Sequence, residues 1–127
     1  MNILIAEDDP VSRRALDVIL RRWNYDVLAV ADGAAAWDIL QTEQAPKIAI
    51  LDWMMPVMDG PEVCRRVLAL GRSEPPYLIL LTARGSKEDM VNGFKAGADD
   101  YVTKPFDREE LQARIQVGIR MIGLQKK

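Results

Sequence analysis

Short apolar runs alternate with longer amphipathic stretches along the chain. The apolar runs are typical of β-strands, and they cover residues 2–6, 26–30, 48–51, 77–81 and 101–103. The runs at 48–51 and 77–81 are apolar throughout, as expected of strands whose two faces are both covered. The alternation therefore predicts a parallel sheet with helices on both of its faces.

The amphipathic stretches predict five helices. In the first, apolar side chains recur at helical spacing from Ala15 to Trp23, with arginines on the other faces. The second covers about 34–43, the third begins after Gly60-Pro61 and ends at Gly71, the fourth spans 87–96 and the fifth 107–125. Asp32 and Asp107 are expected to be helix N-caps. Five strand–helix units in 127 residues predict one doubly wound α/β domain.

Composition and charge narrow the classes of function. A formal net charge of −2 provides no basic field for a polyanion, so we expect no direct nucleic-acid binding by this chain. The chain has no histidine, which excludes a histidine base, a histidine metal ligand and a phosphohistidine within it. Cys64 is the only cysteine, so no internal disulfide can form. No apolar run is long enough to cross a bilayer and no leader pattern precedes the first strand, which predicts a soluble, cytoplasmic protein.

Charged and hydroxyl side chains follow four of the predicted strands, at the end of the sheet where such folds bind ligands. These residues are Glu7, Asp8 and Asp9 after the first strand, Asp52 after the third, Thr82 after the fourth and Lys104 after the fifth. A nucleotide site would call for glycines and helix N–H groups after the first strand, whereas three acids there would repel a bare phosphate. Such acids suit a hard divalent cation, and we expect Mg2+, with Mn2+ as the alternative.

With a cation present, each residue has a chemical role. Asp52 is a carboxylate nucleophile that can form an acyl phosphate. Asp8 would bind the metal directly and Glu7 through water. Lys104 would pair with Asp52 at rest and with a phosphoryl oxygen after transfer. The Thr82 hydroxyl would donate to another phosphoryl oxygen, and the small Ala83 beside it leaves an approach path.

The same residues also have purely structural interpretations. Glu7 and Asp8 could instead cap the first helix, Thr82 could be a plain strand terminus, and Lys104 could be a surface lysine. Capping does not explain why Asp52, Thr82 and Lys104 share one edge of the sheet, so the functional interpretation is favoured.

Four further residues are interpreted from their neighbours. Asp99 and Asp100 are expected to be solvated loop acids, and Cys64 a core residue. Trp53 follows Asp52 directly, so we expect it near the metal site, where its fluorescence could report on that site.

The sequence resembles the response-regulator receiver family, which includes the single-domain chemotaxis regulators. The matching segments are 3–9 (ILIAEDD), 51–60 (LDWMMPVMDG), 81–83 (LTA) and 97–106 (GADDYVTKPF). Their order and spacing cover essentially the whole chain. The resemblance implies a flavodoxin-like fold with five parallel strands in the order 2-1-3-4-5, a single receiver domain over 1–127, and a phosphorylation-dependent signalling switch instead of a turnover enzyme.

The resemblance also implies a ligand set. Glu7 and Asp8 are its acidic pair, Asp52 is the phosphoacceptor, and the backbone carbonyl of Met54 is the third protein ligand to Mg2+. Asp9 falls just after the acidic pair and is left out of the set.

The family further places a switch in this chain. Thr82 and Tyr101 are its switch residues, although from the residues alone Tyr101 fits plain packing equally well. A cis peptide bond is expected at Lys104-Pro105. Met54 and Arg84 flank the site, and our hypothesis is that this bulky and cationic pair slows hydrolysis of the acyl phosphate.

The resemblance implies a sensor histidine kinase or a phosphotransfer protein as phosphodonor. The family's signalling face is formed by the fourth helix, the fifth strand and the fifth helix. One apolar stripe of the last helix should pack on the sheet, namely Leu111, Ile115, Ile119 and Ile122. A second stripe, formed by Val117, Met121 and Leu124, is interpreted as the edge of one wide stripe, as a homodimer contact, or as part of a helix leading to an output domain.

Three other functions are compatible with parts of this pattern. An aspartyl-phosphate phosphatase of the haloacid dehalogenase type requires a second Asp two residues after the nucleophile, and position 54 is Met. A receiver-like module that no longer accepts phosphate is disfavoured because the required residues are all present. A fragment of a larger regulator stays open, because it would share the same chemistry.

Overall fold

The computed structural model describes residues 1–83 and 85–125, the last two by their backbone alone. Its elements are β1 (Asn2–Ala6), α1 (Pro10–Arg22), β2 (Asp26–Val30), α2 (Gly33–Leu40), β3 (Ile48–Asp52), α3 (Gly60–Ala69), β4 (Tyr77–Thr82), α4 (Lys87–Ala96), β5 (Asp100–Thr103) and α5 (Arg108–Gln125). Every strand and helix expected from the sequence is present. The largest difference in bounds is in α2, which ends at Leu40, three residues before the predicted end.

The five strands form one parallel sheet in the order β2-β1-β3-β4-β5. This topology confirms the predicted doubly wound fold. The two strands that were expected to be covered on both faces, β3 and β4, are buried along their whole length, whereas β2 lies at an edge and is largely exposed. In the part of the chain that the structure describes, no helix combines the length and apolarity needed to cross a bilayer.

The sheet separates two apolar cores, because alternate side chains of a strand point to opposite faces. On one face, residues such as Leu4, Leu51 and Leu80 pack against α2, α3 and α4. On the other face, their chain neighbours, such as Ile5 and Ile50, pack against α1 and α5. The predicted core residue Cys64 is buried in the first of these cores, and burial raises the pKa of its thiol to about 12.

Four of the helices have a short polar residue as their N-cap. Asp9, Asp32, Asp59 and Ser86 each accept a hydrogen bond from the backbone N–H three residues later, over 2.7–3.1 Å. Asp32 was predicted in this role, and the Asp107 carboxylate likewise accepts from the backbone N–H of Glu109. The cap of α1 is Asp9, so Glu7 and Asp8 are not its caps and remain at the end of β1.

The last helix packs on the sheet through the predicted stripe. Leu111, Ile115 and Ile122 are buried and Ile119 is half-buried. Of the second stripe, Val117 is half-buried and Met121 is exposed, so this stripe does not lie in the core. The side chain of Leu124 lies outside the described residues.

The prediction of solvated loop acids is confirmed for Asp99, which is exposed and lies in the loop before β5, and is wrong for Asp100. Asp100 begins β5, and its nearly buried carboxylate pairs with Arg114 of α5 at 2.8 Å. Asp99 donates its backbone N–H to the Leu78 carbonyl, and its carboxylate accepts from the Leu78 N–H over 2.9 Å. Asp99 therefore aligns the start of β5 on β4, because a strand joining a sheet must satisfy the backbone groups of its neighbour, whereas Asp100 connects β5 to α5.

Gly118 provides a test of the contact between α5 and β4. A Cβ added at Gly118 would lie 2.7 Å from Cδ1 of the buried Tyr77 ring, whereas one added at Gly123 of the same helix would have no heavy atom within 4 Å. We expect Gly118→Ala to lower the free energy of unfolding in urea by about 1–3 kcal/mol. Gly123→Ala should leave it unchanged or raise it by up to about 1 kcal/mol, because alanine favours helix. Equal stability of the two variants would contradict this packing.

Candidate functional site

The residues predicted to form a site follow the carboxyl ends of four neighbouring strands. Glu7 and Asp8 follow β1, Asp52 ends β3, Thr82 ends β4, and Lys104 follows β5. All strands are parallel, and β1, β3, β4 and β5 are successive neighbours in the sheet. The five side chains are therefore delivered to one edge of the sheet from positions almost one hundred residues apart in the chain.

Three carboxylates converge at this edge. Oxygen atoms of Glu7, Asp8 and Asp52 lie within 4.8 Å of one another. Glu7 and Asp52 are buried, with 1% and 7% of their surface exposed, whereas Asp8 faces solvent. An arrangement of oxygen ligands that is closed on the protein side and open to water fits a hard divalent cation such as Mg2+, which keeps part of its hydration shell.

Lys104 is the cationic partner of this cluster. Its Nζ lies 3.1 Å from Oδ1 of Asp52 and also forms an ion pair with Oε1 of Glu7. The contact with Asp52 is the one that the sequence analysis proposed for the resting state, whereas the pair with Glu7 was not foreseen. The Lys104-Pro105 peptide bond is cis, as expected.

Thr82 and Lys104 are held side by side. The Lys104 backbone N–H donates to the Thr82 carbonyl over 2.7 Å, which extends the pairing of β4 with β5 by one residue. The Thr82 side chain is buried, and Ala83 beyond it is exposed. The structure thus brings Thr82 to the same edge as the acidic cluster and leaves a small residue at the solvent side.

Tyr101 lies inside the protein. It is buried, with its ring edge-on to the ring of Trp53 at a centroid distance of 6.3 Å, and the ring of Phe94 in α4 lies 6.5 Å away. Trp53 was expected near the metal site. Its backbone follows Asp52 there, but its ring is buried in the core that faces α4. Trp53 therefore connects the end of β3 to Tyr101 and α4.

Comparisons with known proteins identify this arrangement. The sequence profile of the response regulator receiver domain matches residues 3–116. The chain belongs to the response regulator receiver family. It is 43% identical over 123 residues to the transcriptional regulatory protein CseB of Streptomyces coelicolor, a match that covers 96% of this chain and 50% of that protein. The receiver thus spans about half the length of the curated relatives it matches.

Solved receiver domains share its structure. The receiver domain of the Francisella response regulator 1452 aligns with a TM-score of 0.86 at 28% identity, covering 94% of this chain and 97% of that one. The receiver domain of the sensor histidine kinase PA1611 from Pseudomonas aeruginosa aligns with a TM-score of 0.81 at 34% identity, covering 96% and 97%. That structure has a magnesium ion coordinated in its active-site cleft.

Burial and mutual repulsion set the protonation of this receiver's acidic cluster. Burial raises the pKa of Glu7 and the adjacent Asp52 carboxylate raises it further, while Lys104 offsets only part of the increase. Burial alone would lower the pKa of Lys104, but its hydrogen bonds and charge attraction to Glu7 and Asp52 outweigh that effect and raise it. Among the described residues, one ammonium pairs with the three carboxylates of this cluster, so the cluster has electrostatic capacity for a further cation.

Two expectations at the edge of the site remain predictions. Met54 is exposed beyond Asp52, and its predicted effect on hydrolysis is not tested by this exposure. Arg84 lies outside the described residues, so the hypothesis that this pair slows hydrolysis is not tested by the structure. Asp9, which was left out of the ligand set, uses its carboxylate to accept from the backbone N–H and the hydroxyl of Ser12.

Arg13 is a residue of the site that was not predicted from the sequence. Its Nη1 donates to the backbone carbonyls of Glu7, over 2.9 Å, and of Asp8, over 3.4 Å. The only signal in the sequence was an arginine close to the positive end of a helix, where a cation is disfavoured.

Glu7→Gln tests the electrostatics of the cluster in metal-free protein. Because the pKa of Glu7 is raised in the folded state, its ionised form is less favourable there than in the unfolded chain. We expect the neutral variant to be more stable by about 1 kcal/mol at pH 8, measured by urea unfolding with a chelator present. The advantage should shrink as the pH falls toward the folded pKa of Glu7, because the wild type then takes up a proton that the unfolded chain does not bind.

The matched control is Glu43→Gln, at an exposed glutamate on the connection after α2, which should change stability little at any pH. A Glu7→Gln variant that is less stable than wild type at both pH values would show that the pair with Lys104 dominates over burial.

Proposed function

We propose that this receiver is a phosphorylation-dependent switch in which Asp52 accepts a phosphoryl group, with Mg2+ as cofactor. The observation that carries the proposal is the convergence of three carboxylates within 4.8 Å, with Lys104 3.1 Å from Asp52. The donor would be a phosphohistidine of a sensor histidine kinase or of a phosphotransfer protein. This chain has no histidine, so the donor must be supplied by another domain or protein.

The residues divide the work of the transfer. An Asp52 carboxylate oxygen attacks phosphorus, the O–P bond forms, and the P–N bond to the donor imidazole breaks with its electrons passing to nitrogen. Lys104, already beside Asp52, pairs with a phosphoryl oxygen, and the Thr82 hydroxyl donates to another. Catalysis then consists of positioning and charge neutralisation, which is the pattern expected for phosphoryl transfer.

The side chains present fit a bound Mg2+ ion. Asp8 and Asp52 would be its carboxylate ligands, with the Met54 backbone carbonyl as the third protein ligand. Glu7 is buried and paired with Lys104, which supports an indirect role for it, through water. When bound, the cation neutralises charge that the attacking carboxylate and the phosphoryl group bring together.

The signal would pass from Asp52 to α4 through Thr82 and Tyr101. Phosphorylation adds negative charge and strong acceptors, toward which the Thr82 hydroxyl is drawn. The inward position of Tyr101, between Trp53 and Phe94, is then favoured as the packing near Thr82 changes. The described structure has Tyr101 inside, so the switch is a population shift between this state and an outward one.

The face formed by α4, β5 and α5 is the proposed output surface. On α4, Met90, Val91 and Phe94 are exposed, as is Met121 on α5. An apolar face of this kind fits a second copy of the chain or an output domain. The curated relatives are about twice as long and include proteins named as transcriptional regulators, which supports an output domain as partner and a cytoplasmic location. Any DNA contact would then belong to that domain, since this chain has a net charge of −2.

Beryllofluoride and acetyl phosphate test the proposed phosphoacceptor. With Mg2+, acetyl phosphate should add one phosphoryl group by mass, and beryllofluoride should change Trp53 fluorescence, whereas Asp52→Asn should abolish both effects. Asp38→Asn, at an exposed aspartate of α2, is the control and should behave as wild type. Phosphate incorporation that persists in Asp52→Asn would overturn the assignment. Sustained turnover of p-nitrophenyl phosphate would show a phosphatase instead of a switch.

Thr82→Ala tests the proposed coupling. We expect the extent of phosphorylation to remain within a few-fold of wild type. The coupling free energy between beryllofluoride binding and α4, measured from hydrogen exchange of the α4 amides, should fall by about 1–2 kcal/mol. Thr103→Ala is the matched control, since Thr103 is the β5 partner of Thr82 but is exposed. If Thr82→Ala and Thr103→Ala responded alike, the hydroxyl of Thr82 would have no part in the switch.

A further inference from the structure

The backbone that carries the acidic pair is held by one guanidinium. Nη1 of Arg13 donates to the carbonyl oxygen of Glu7 and to that of Asp8, so a single side chain of α1 contacts both residues. Arg13 is half-buried, whereas its neighbour Arg14 is exposed. The connection between β1 and α1 is therefore hydrogen-bonded to the helix that follows it.

The position of Arg13 is not explained by local helix electrostatics. It is the fourth residue of α1, near the positive end of the helix dipole, where a cation is unfavourable. The first turn of α1 contains no acidic residue that would compensate for it. The favourable contacts of Arg13 are instead with the two carbonyls outside the helix, and these contacts point to a role at the site.

The remaining polar groups of Glu7 are also engaged. Its N–H donates to the Val30 carbonyl of β2 over 3.1 Å, and its carboxylate accepts from Lys104 and from the Asp9 N–H. With its carbonyl bound by Arg13, Glu7 is held on both its backbone and its side chain. The carbonyl of Asp8 is held in the same way, while its carboxylate faces solvent at the acidic cluster. The orientation of the pair is thus set by contacts within the protein.

We propose that Arg13 is a positioning residue for the cation site, which orients the Glu7–Asp8 backbone so that the carboxylates converge before Mg2+ arrives. The inference rests on the Mg2+ dependence in the proposed function. The proposal predicts that Mg2+ affinity falls when Arg13 is replaced, whereas the charge of Arg13 alone predicts that it rises. A guanidinium near the site repels a divalent cation, so removal of its charge should tighten binding. Removal of its two hydrogen bonds should weaken binding, because partners that orient ligands typically change metal affinity by about 10–100-fold.

Mg2+ titration of three variants separates these effects. The variants are Arg13→Ala, Arg13→Lys and Arg14→Ala. Mg2+ binding to each variant of the full chain is measured by Trp53 fluorescence and by calorimetry. We expect Arg13→Ala to raise the Kd for Mg2+ about tenfold and Arg13→Lys to give an intermediate value. Arg14→Ala removes the same charge from the same turn without touching the carbonyls, so its Kd should stay at or slightly below that of wild type. A Kd in Arg13→Ala equal to that of Arg14→Ala would overturn the proposal.

Hydrogen exchange in metal-free protein gives a readout that does not depend on Mg2+. The amide of Asp9, which donates to Glu7, should exchange faster in Arg13→Ala than in Arg14→Ala, while amides of the central strand β3 stay protected in both. If Arg13→Ala exchanges faster everywhere, including β3, the comparison is made with the better-folded Arg13→Lys variant. Uniformly faster exchange in that variant as well would overturn a positioning role. If wild type itself binds no Mg2+, the proposed function fails as well. If wild type binds Mg2+ and only the Arg13 effect is absent, this inference alone fails.

Discussion

The pairing of one ammonium with two buried carboxylates is the interaction on which the site depends. Glu7 and Asp52 are almost fully removed from water, and Lys104 contacts both. A buried charge without a partner would be strongly destabilising. Each of the three residues therefore requires the others in order to remain buried and charged. Lys104 reaches them only if β5 is docked beside β4 and β3 beside β1, which makes the site a product of the complete sheet. The solvent-facing Asp8 then leaves an excess of negative charge at the opening, where a divalent cation would be attracted.

The end of β3 connects this charged edge to the core. Consecutive residues of a strand point to opposite sides, so Asp52 faces the site while the next residue, Trp53, lies in the core beneath α4. Its ring contacts Tyr101, which in turn lies beside Phe94. The residue whose charge would change, Asp52, is therefore the chain neighbour of Trp53, which packs beneath α4. In the proposed switch, tight packing would transmit such a change, because a close-packed core has few intermediate arrangements.

Adjacent residues of the same type have different roles because their backbone environments differ. Asp8 and Asp9 are adjacent, yet Asp9 accepts from Ser12 as the cap of α1 while Asp8 joins the acidic cluster. Arg13 and Arg14 are adjacent, yet only Arg13 turns back to the carbonyls of the β1–α1 connection. In both cases the direction of the helix start decides which side chain faces the site. The residue types alone do not distinguish the two members of either pair, and only the family resemblance set Asp9 apart from Asp8.

The strands, the helices and the edge at which the site would form were determined by the sequence itself, because hydrophobic periodicity and strand ends are local properties of the chain. Asp52, Thr82 and Lys104 could be named for the same reason, since each directly ends or follows an apolar strand. Only the tertiary structure decided that Lys104 pairs with Glu7, that Asp100 pairs with Arg114, and that Trp53 packs on Tyr101. Those contacts join residues distant in the chain, and their geometry depends on how the sheet and helices pack, which no local pattern encodes.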